Sequence, residues 1–229
     1  MLNQQTIDQL KNVVRTYKSQ VKLPEIDRWK SMTDSEIWIS IVGQVGSVGS
    51  SNPAEKMKKE LRSGDKWYEQ LILLTKEHRK EEIHRVLYKF GIRYVSKNID
   101  KCKKTNALLK NLELIESFGG PIKYIQRISQ IDDEYIRVST VIKEMYYIKN
   151  KGARDLLISL GLLQNAIAFD VRIIKVLKAF GTDLPEGFET NSNSYKELES
   201  ELIKKICIPC EITGAVLDRI IYQKYDEIV

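Results

Sequence analysis

Apolar residues recur at the three- and four-residue spacing of a helix face along nearly the whole chain, and almost nowhere in the alternating pattern of a half-buried strand. That periodicity predicts an all-α fold. The predicted helices span about residues 3–19, 33–46, 53–62, 67–76, 79–89, 93–102, 105–117, 121–128, 131–145, 151–161, 170–180, 194–206 and 210–226. Local punctuation agrees. Thr33 with Glu36 three residues on reads as a capping box, Pro53 and Pro121 fall where first-turn prolines belong, and Gly119-Gly120 stops a helix. At 229 residues the chain is long enough for a substantial core, and its 42% hydrophobic and 30% charged content is that of a folded domain.

Two segments interrupt the helical pattern. Residues 43–53, GQVGSVGSSNP, read as a flexible turn that lines a site. With no preceding strand and no P-loop lysine, they do not suit a nucleotide. Residues 181–194 read as a surface connection.

Net charge is +6, from 37 Lys+Arg against 31 Asp+Glu, which favours a polyanionic partner. No run approaches the roughly 18 to 20 apolar residues of a membrane span, and the polar start does not resemble a signal peptide. The expectation is a cytoplasmic chain with no membrane association. Three cysteines, Cys102, Cys207 and Cys210, do not make a disulfide framework. The Cys207–Cys210 pair lacks the second pair that a zinc or iron–sulfur site requires, so a structural role is expected.

The informative stretch is 146–175, YYIKNKGARDLLISLGLLQNAIAFDVRIIK. Lys151 opens a predicted helix, an apolar face and a short loop follow, and Asp170 opens the next helix nineteen residues later. An amine that acts as a nucleophile must be partly neutral, although free lysine has a pKa of about 10.4. A helix N-terminus, whose dipole disfavours added positive charge, together with burial, is expected to depress Lys151 in that direction. A carboxylate at Asp170 is placed to stabilise a developing positive charge and assist proton transfer, and it also suits a helix cap.

This stretch resembles the helix-hairpin-helix DNA glycosylases that also cleave the backbone, and in particular the archaeal-type 8-oxoguanine DNA glycosylase/AP lyases. The resemblance extends to residues 29–38 before a first core helix, to LYKFGIRYVSK at 87–97, and to VLDRIIY at 216–222. It implies a two-lobed helical fold with the active site in the cleft between lobes. One lobe would comprise 30–120 as a helical barrel together with the hairpin region 121–180, and the other 1–29 plus 181–229. It implies Lys151 as nucleophile and Asp170 as its partner, no metal and no cofactor. The partner would be double-stranded DNA carrying a damaged base, bound by a monomer acting at a prokaryotic nucleoid. Tyr222 takes the position that stacks on an extruded base, a contact of roughly 1 to 3 kcal/mol. Asp155, four residues after the lysine, takes a pocket-facing position where cysteine or histidine is usual. Lys149, Asn150, Arg93, Lys97 and Arg172 are implied DNA contacts, and Gln44, Ser51 or Asn52 would fill the gap left by the extruded base.

The hairpin departs from its pattern. The usual turn is apolar-Pro-Gly-apolar-Gly-x-Lys, whose glycines let backbone amides approach a phosphate. Here residues 147–151 are YIKNK, and ahead of the lysine only the apolar Ile148 is kept. A reshaped hairpin follows, with Asn150 the candidate for a left-handed conformation and Lys149 the competing nucleophile if the helix starts earlier. The chain after Tyr222 is also shorter than in archaeal-type relatives. The activity implied is excision of an oxidised purine, most directly 8-oxoguanine, followed by β-elimination. The alternatives are a helical DNA-binding protein without catalysis, or a glycosylase for another damaged base.

Overall fold

In a computed structural model, which describes residues 2–23, 25–62 and 66–229, the regular elements are all helices, with no strand among those residues. The helices are α1 (Gln4–Tyr17), α2 (Asp34–Ser47), α3 (Ser51–Arg62), α4 (Trp67–Ile72), α5 (Lys76–Lys89), α6 (Lys103–Ser117), α7 (Pro121–Ser129), α8 (Glu134–Glu144), α9 (Asn150–Ser159), α10 (Val171–Ala179), α11 (Ser192–Leu202), α12 (Gly214–Gln223) and α13 (Tyr225–Ile228). Among the described residues no helix is long and apolar enough to cross a membrane.

The chain divides into two compact units, one of residues 1–26 with 149–229 and one of residues 27–148. The resemblance implies that 121–180 share a lobe with 30–120, but 149–180 lie in the other unit. These residues instead pack with the two ends of the chain, because Ile167, Phe169, Ile173, Val176 and Leu177 share one core with Leu10 and Val14 of α1 and with Leu217, Ile220 and Ile221 of α12.

The unit of residues 27–148 is organised around α2. Its apolar residues are not confined to one stripe, and Ile37, Trp38, Ile39, Ile41, Val42 and Val45 are all fully buried, as a helix that is hydrophobic all round must be. The Thr33–Glu36 capping box closes its N-terminus. Gly43 and Gly46, expected within a flexible turn, lie inside this helix. They serve close packing: a β-carbon at Gly43 would stand 2.6 Å from Lys58 Cδ, and one at Gly46 would meet Ala54 and Met57 of α3 at 3.4 and 3.6 Å. The turn itself is only residues 48–50. It is held from one side by Lys104 Nζ, which donates to the carbonyls of Gly46 and Val48 at 3.2 and 2.8 Å, and by Arg93, which donates to the Gly49 carbonyl at 3.1 Å.

The helix expected over 93–102 does not form. Tyr94 is left-handed at φ 61°, the Asn98 side chain accepts from the amides of Asp100 and Lys101, and His84 Nε2 lies 2.8 Å from the Ser96 carbonyl. Short polar side chains that bond their own backbone favour turns over helix here, and the helix starts only at Lys103.

The other unit is tied by a buried ion pair. Arg154 Nε and an Nη donate to the two Glu199 oxygens, both at 2.8 Å, and Arg154 also donates to the Asn150 carbonyl. Glu199 in turn accepts from the Ile167 amide at 2.8 Å. Tyr195, whose ring lies 4.1 Å from the Arg154 guanidinium carbon, accepts from the Phe169 amide and donates to the Ile167 carbonyl. The backbone of 167–169 thereby gains partners without belonging to any helix. Arg154→Met is expected to cost about 3 to 5 kcal/mol in chemical denaturation, because it leaves Glu199 charged and unpaired in the interior. The double variant Arg154→Met/Glu199→Gln should recover part of that loss, since the amide still accepts from Ile167.

Candidate active site

Three backbone devices present one cluster of side chains. Helix α9 begins at Asn150, which puts Lys151 in its first turn and Asp155 one turn further on the same face. Helix α10 is capped by Asp170, whose Oδ1 accepts from the amides of Arg172 and Ile173 at 2.9 and 3.0 Å. Both cap bonds use one oxygen, so the other takes no part in the cap. Helix α12 starts against the 164–168 segment: Ala215 N donates to the Gln164 carbonyl, and a β-carbon at Gly214 would meet the Ala166 backbone at 2.9 Å. The same helix carries Asp218, Arg219 and Tyr222.

Lys151 Nζ donates to Asp155 Oδ2 at 3.1 Å, and Asp155 Oδ1 accepts from Arg219 at 3.1 Å. Burial pushes the Lys151 ammonium down, but the charge and hydrogen bond of Asp155, with the charges of Asp170 and Asp218, outweigh it and hold the group above the usual lysine value. This reverses the depression expected from the helix terminus. A partial positive charge at the helix end is weaker than three nearby carboxyl groups. Lys149, the competing lysine, precedes the helix with its side chain exposed.

Asp218 was not singled out in the sequence. It is 3% exposed, its Oδ2 accepts from the Ala168 amide at 2.8 Å, and burial pushes its carboxyl up to about 7, with Arg219 opposing and Asp155 and Asp170 reinforcing. A signal for it did exist. A carboxylate within the apolar run 216–221, four residues before Tyr222, shares a helix face with that tyrosine.

Several expected contacts are placed elsewhere. Asn150 is not left-handed; Tyr147 takes that conformation, at φ 66°. Asn150 is buried, donates to the Glu189 carbonyl at 3.1 Å and accepts from Ser192 Oγ at 3.4 Å, so its side chain ties α9 to the 189–192 segment. Arg172 lies over the Tyr222 ring, 4.3 Å from its centroid, so the ring expected to stack on a base already carries a cation–π partner. Gln44 is 7% exposed inside α2 and is not on a loop that could enter a duplex, whereas Ser51 and Asn52 open α3 and are exposed. Arg93 and Lys97 are exposed on the turn that replaces the expected helix. Gln44, Asn52, Arg93 and Lys97 belong to the unit of residues 27–148; the lysine cluster belongs wholly to the other.

Among the described residues no group of three or more His, Cys, Asp or Glu side chains is arranged to hold a metal ion. Cys207 is buried, and burial pushes its thiol up to about 12, which is the state of an inert structural cysteine.

No family model and no curated protein matches the chain. Its fold is nevertheless that of the helical 8-oxoguanine DNA glycosylases, over nearly its whole length. It is similar to the 8-oxoguanine DNA glycosylase of Methanocaldococcus jannaschii, with a TM-score of 0.70 and 14% identity over 94% of this chain and 91% of that one. The glycosylase/lyase of the same organism in complex with a 15mer DNA containing 8-oxoguanine gives a TM-score of 0.68 and 14% identity over 98% and 97%. The 8-oxoguanine DNA glycosylase of Thermotoga maritima gives 0.67 and 15% over 94% and 92%. The resemblance read from residues 146–175 is thus matched by the fold.

A carboxyl whose folded-state pKa lies above its unfolded value of 3.8 binds its proton more tightly in the native chain. The stabilisation from Asp218 is therefore complete below pH 3.8 and is lost as pH rises through about 7. Asp218→Asn keeps an acceptor for Ala168 and cannot ionise. It should flatten the decline of stability between roughly pH 4 and 7, read from thermal denaturation across that range; an unchanged slope would show Asp218 already ionised.

Proposed function

We propose that the chain is a base-excision-repair DNA glycosylase with AP lyase activity, acting on an oxidised purine, 8-oxoguanine in the first instance, in double-stranded DNA. The observation that carries this reading is the pair of helix starts, Lys151 in the first turn of α9 and Asp170 capping α10, inside a fold shared with 8-oxoguanine glycosylases. The net charge of +6 suits a polyanionic partner.

The chemistry follows from these groups. Lys151 Nζ, once it has given up a proton, supplies its lone pair to C1′ of the damaged nucleotide. The bond from C1′ to the base breaks, and the base leaves with the electron pair and takes up a proton. Transfer of a second Nζ proton to O4′, as the C1′–O4′ bond breaks and the sugar ring opens, gives the Schiff base. Removal of a proton from C2′ then expels the 3′ phosphate by β-elimination. Asp170 lies close enough to act electrostatically on the Lys151 ammonium, and its carboxylate stabilises positive charge developing on the sugar. Tyr222 and Asp155 line the place of the extruded base.

A second reading, a DNA-binding protein without catalysis, is favoured by one feature: Asp155 stabilises Lys151 in its non-nucleophilic, protonated form.

Borohydride trapping on duplexes carrying 8-oxoguanine or an abasic site separates the two. The wild type should give a covalent adduct and Lys151→Gln none. No adduct from the wild type on either duplex sinks the lyase mechanism, and loss of trapping in Lys149→Gln but not Lys151→Gln moves the nucleophile to Lys149. Asp170→Asn should retain nearly all its stability, since asparagine caps almost as well, while excision slows by about 10²- to 10⁴-fold. Equal excision would remove Asp170 from the mechanism.

A further inference from the structure

The Lys151–Asp155 pair stands in the order that a helix favours least. The cation occupies the first turn, at the positive end of the dipole, and its anion lies four residues C-terminal to it. Helix stability therefore does not explain the pair. Its carboxylate is divided between two cations on two helices, Lys151 of α9 through Oδ2 and Arg219 of α12 through Oδ1, each at 3.1 Å. Arg219 is the more enclosed, with 14% of its side chain exposed against 36% for Lys151. Arg219 thus competes from a fixed position for the carboxylate that stabilises a more accessible ammonium.

The other ionisable groups around Lys151 are Asp170 at the start of α10 and Asp218 on α12, with Arg219 also 3.8 Å from Asp218 Oδ1. Arg172 and Tyr222 are engaged with each other.

We propose that Asp155 is a positioning residue that controls whether Lys151 is an ammonium or a nucleophilic amine, and that Arg219 tunes this control by drawing on the same carboxylate. The inference deepens the reading of Lys151 as the nucleophile and rests on it. Lys151 becomes reactive only by releasing one Nζ proton, and an adjacent carboxylate opposes that release. Removing the Asp155 charge frees the amine at lower pH, whereas removing the Arg219 charge takes away a cation that draws on Asp155 and tightens its hold on Lys151. Lysine titrates well above the range of Asp218, so that residue is already ionised when Lys151 loses its proton in a titration.

The test is a titration of the free protein labelled with [13Cε]lysine and followed by NMR, with the Lys151 signal assigned by its loss in Lys151→Arg. The wild-type midpoint should lie above the ordinary lysine value of about 10.4. Asp155→Asn should lower it by about one unit or more, a tenfold rise in the amine fraction near neutral pH, and Arg219→Gln should raise it. Opposite shifts distinguish charge control from loosening of the site, which would bring both variants toward the ordinary value. An Asp155→Asn midpoint equal to or above that of the wild type overturns the proposal, as does an Arg219→Gln midpoint that falls. Borohydride trapping at an abasic site should follow the same order, with Asp155→Asn about tenfold faster than wild type at pH 7. If the midpoints move as expected but no protein is trapped, the hold on Lys151 stands and the glycosylase/lyase reading fails.

Discussion

The Arg154 guanidinium and the Glu199 carboxylate, 1% and 7% exposed, satisfy one another through two hydrogen bonds and are each bonded further to backbone. Two charges so enclosed are tolerated only when their geometry is complete, and here that geometry fixes three things together: the first turn of α9 through Asn150, the non-helical backbone at 167–169, and the face of α11 that carries Tyr195 and Glu199. Lys151 adjoins Asn150, and Asp170 directly follows Phe169. The lysine and the aspartate are held in place because the non-helical segment between their helices is bonded to the buried ion pair, to the Tyr195 hydroxyl and to the Asp218 carboxylate.

Upon that frame the charges around Lys151 are mostly acidic. Three carboxyl groups act on one lysine, and one of them, Asp218, lies so far from water that its own proton is retained to about pH 7. An amine nucleophile beside unopposed carboxylates would stay protonated. Arg219 reduces that field, since it is bonded to Asp155 and lies beside Asp218. The balance of these charges, more than the helix dipole, decides the state of Lys151.

The unit of residues 27–148 shows the same separation of local from tertiary cause. Glycines in 43–53 suggest flexibility when read along the chain. In the fold they allow α2 and α3 to approach, and the short turn they leave is gripped through its carbonyls by Lys104, whose ammonium is pushed down to about 8 by burial.

The sequence by itself determined the all-helical class, most helix positions, the capping box at Thr33, the stop at Gly119-Gly120, and Lys151 with Asp170 at the starts of successive helices. Each of these rests on interactions within a few residues, which a linear pattern records. Only the tertiary structure decided that 149–180 packs with the chain ends, that 93–102 turns instead of coiling, that Asn150 is buried, and that Asp155, Asp218 and Arg219 surround the lysine. Partners such as Arg154 and Glu199, 45 residues apart, or Asp155 and Arg219, 64 apart, leave no periodic trace. Their energies depend on burial and distance, and these exist only once the helices have packed.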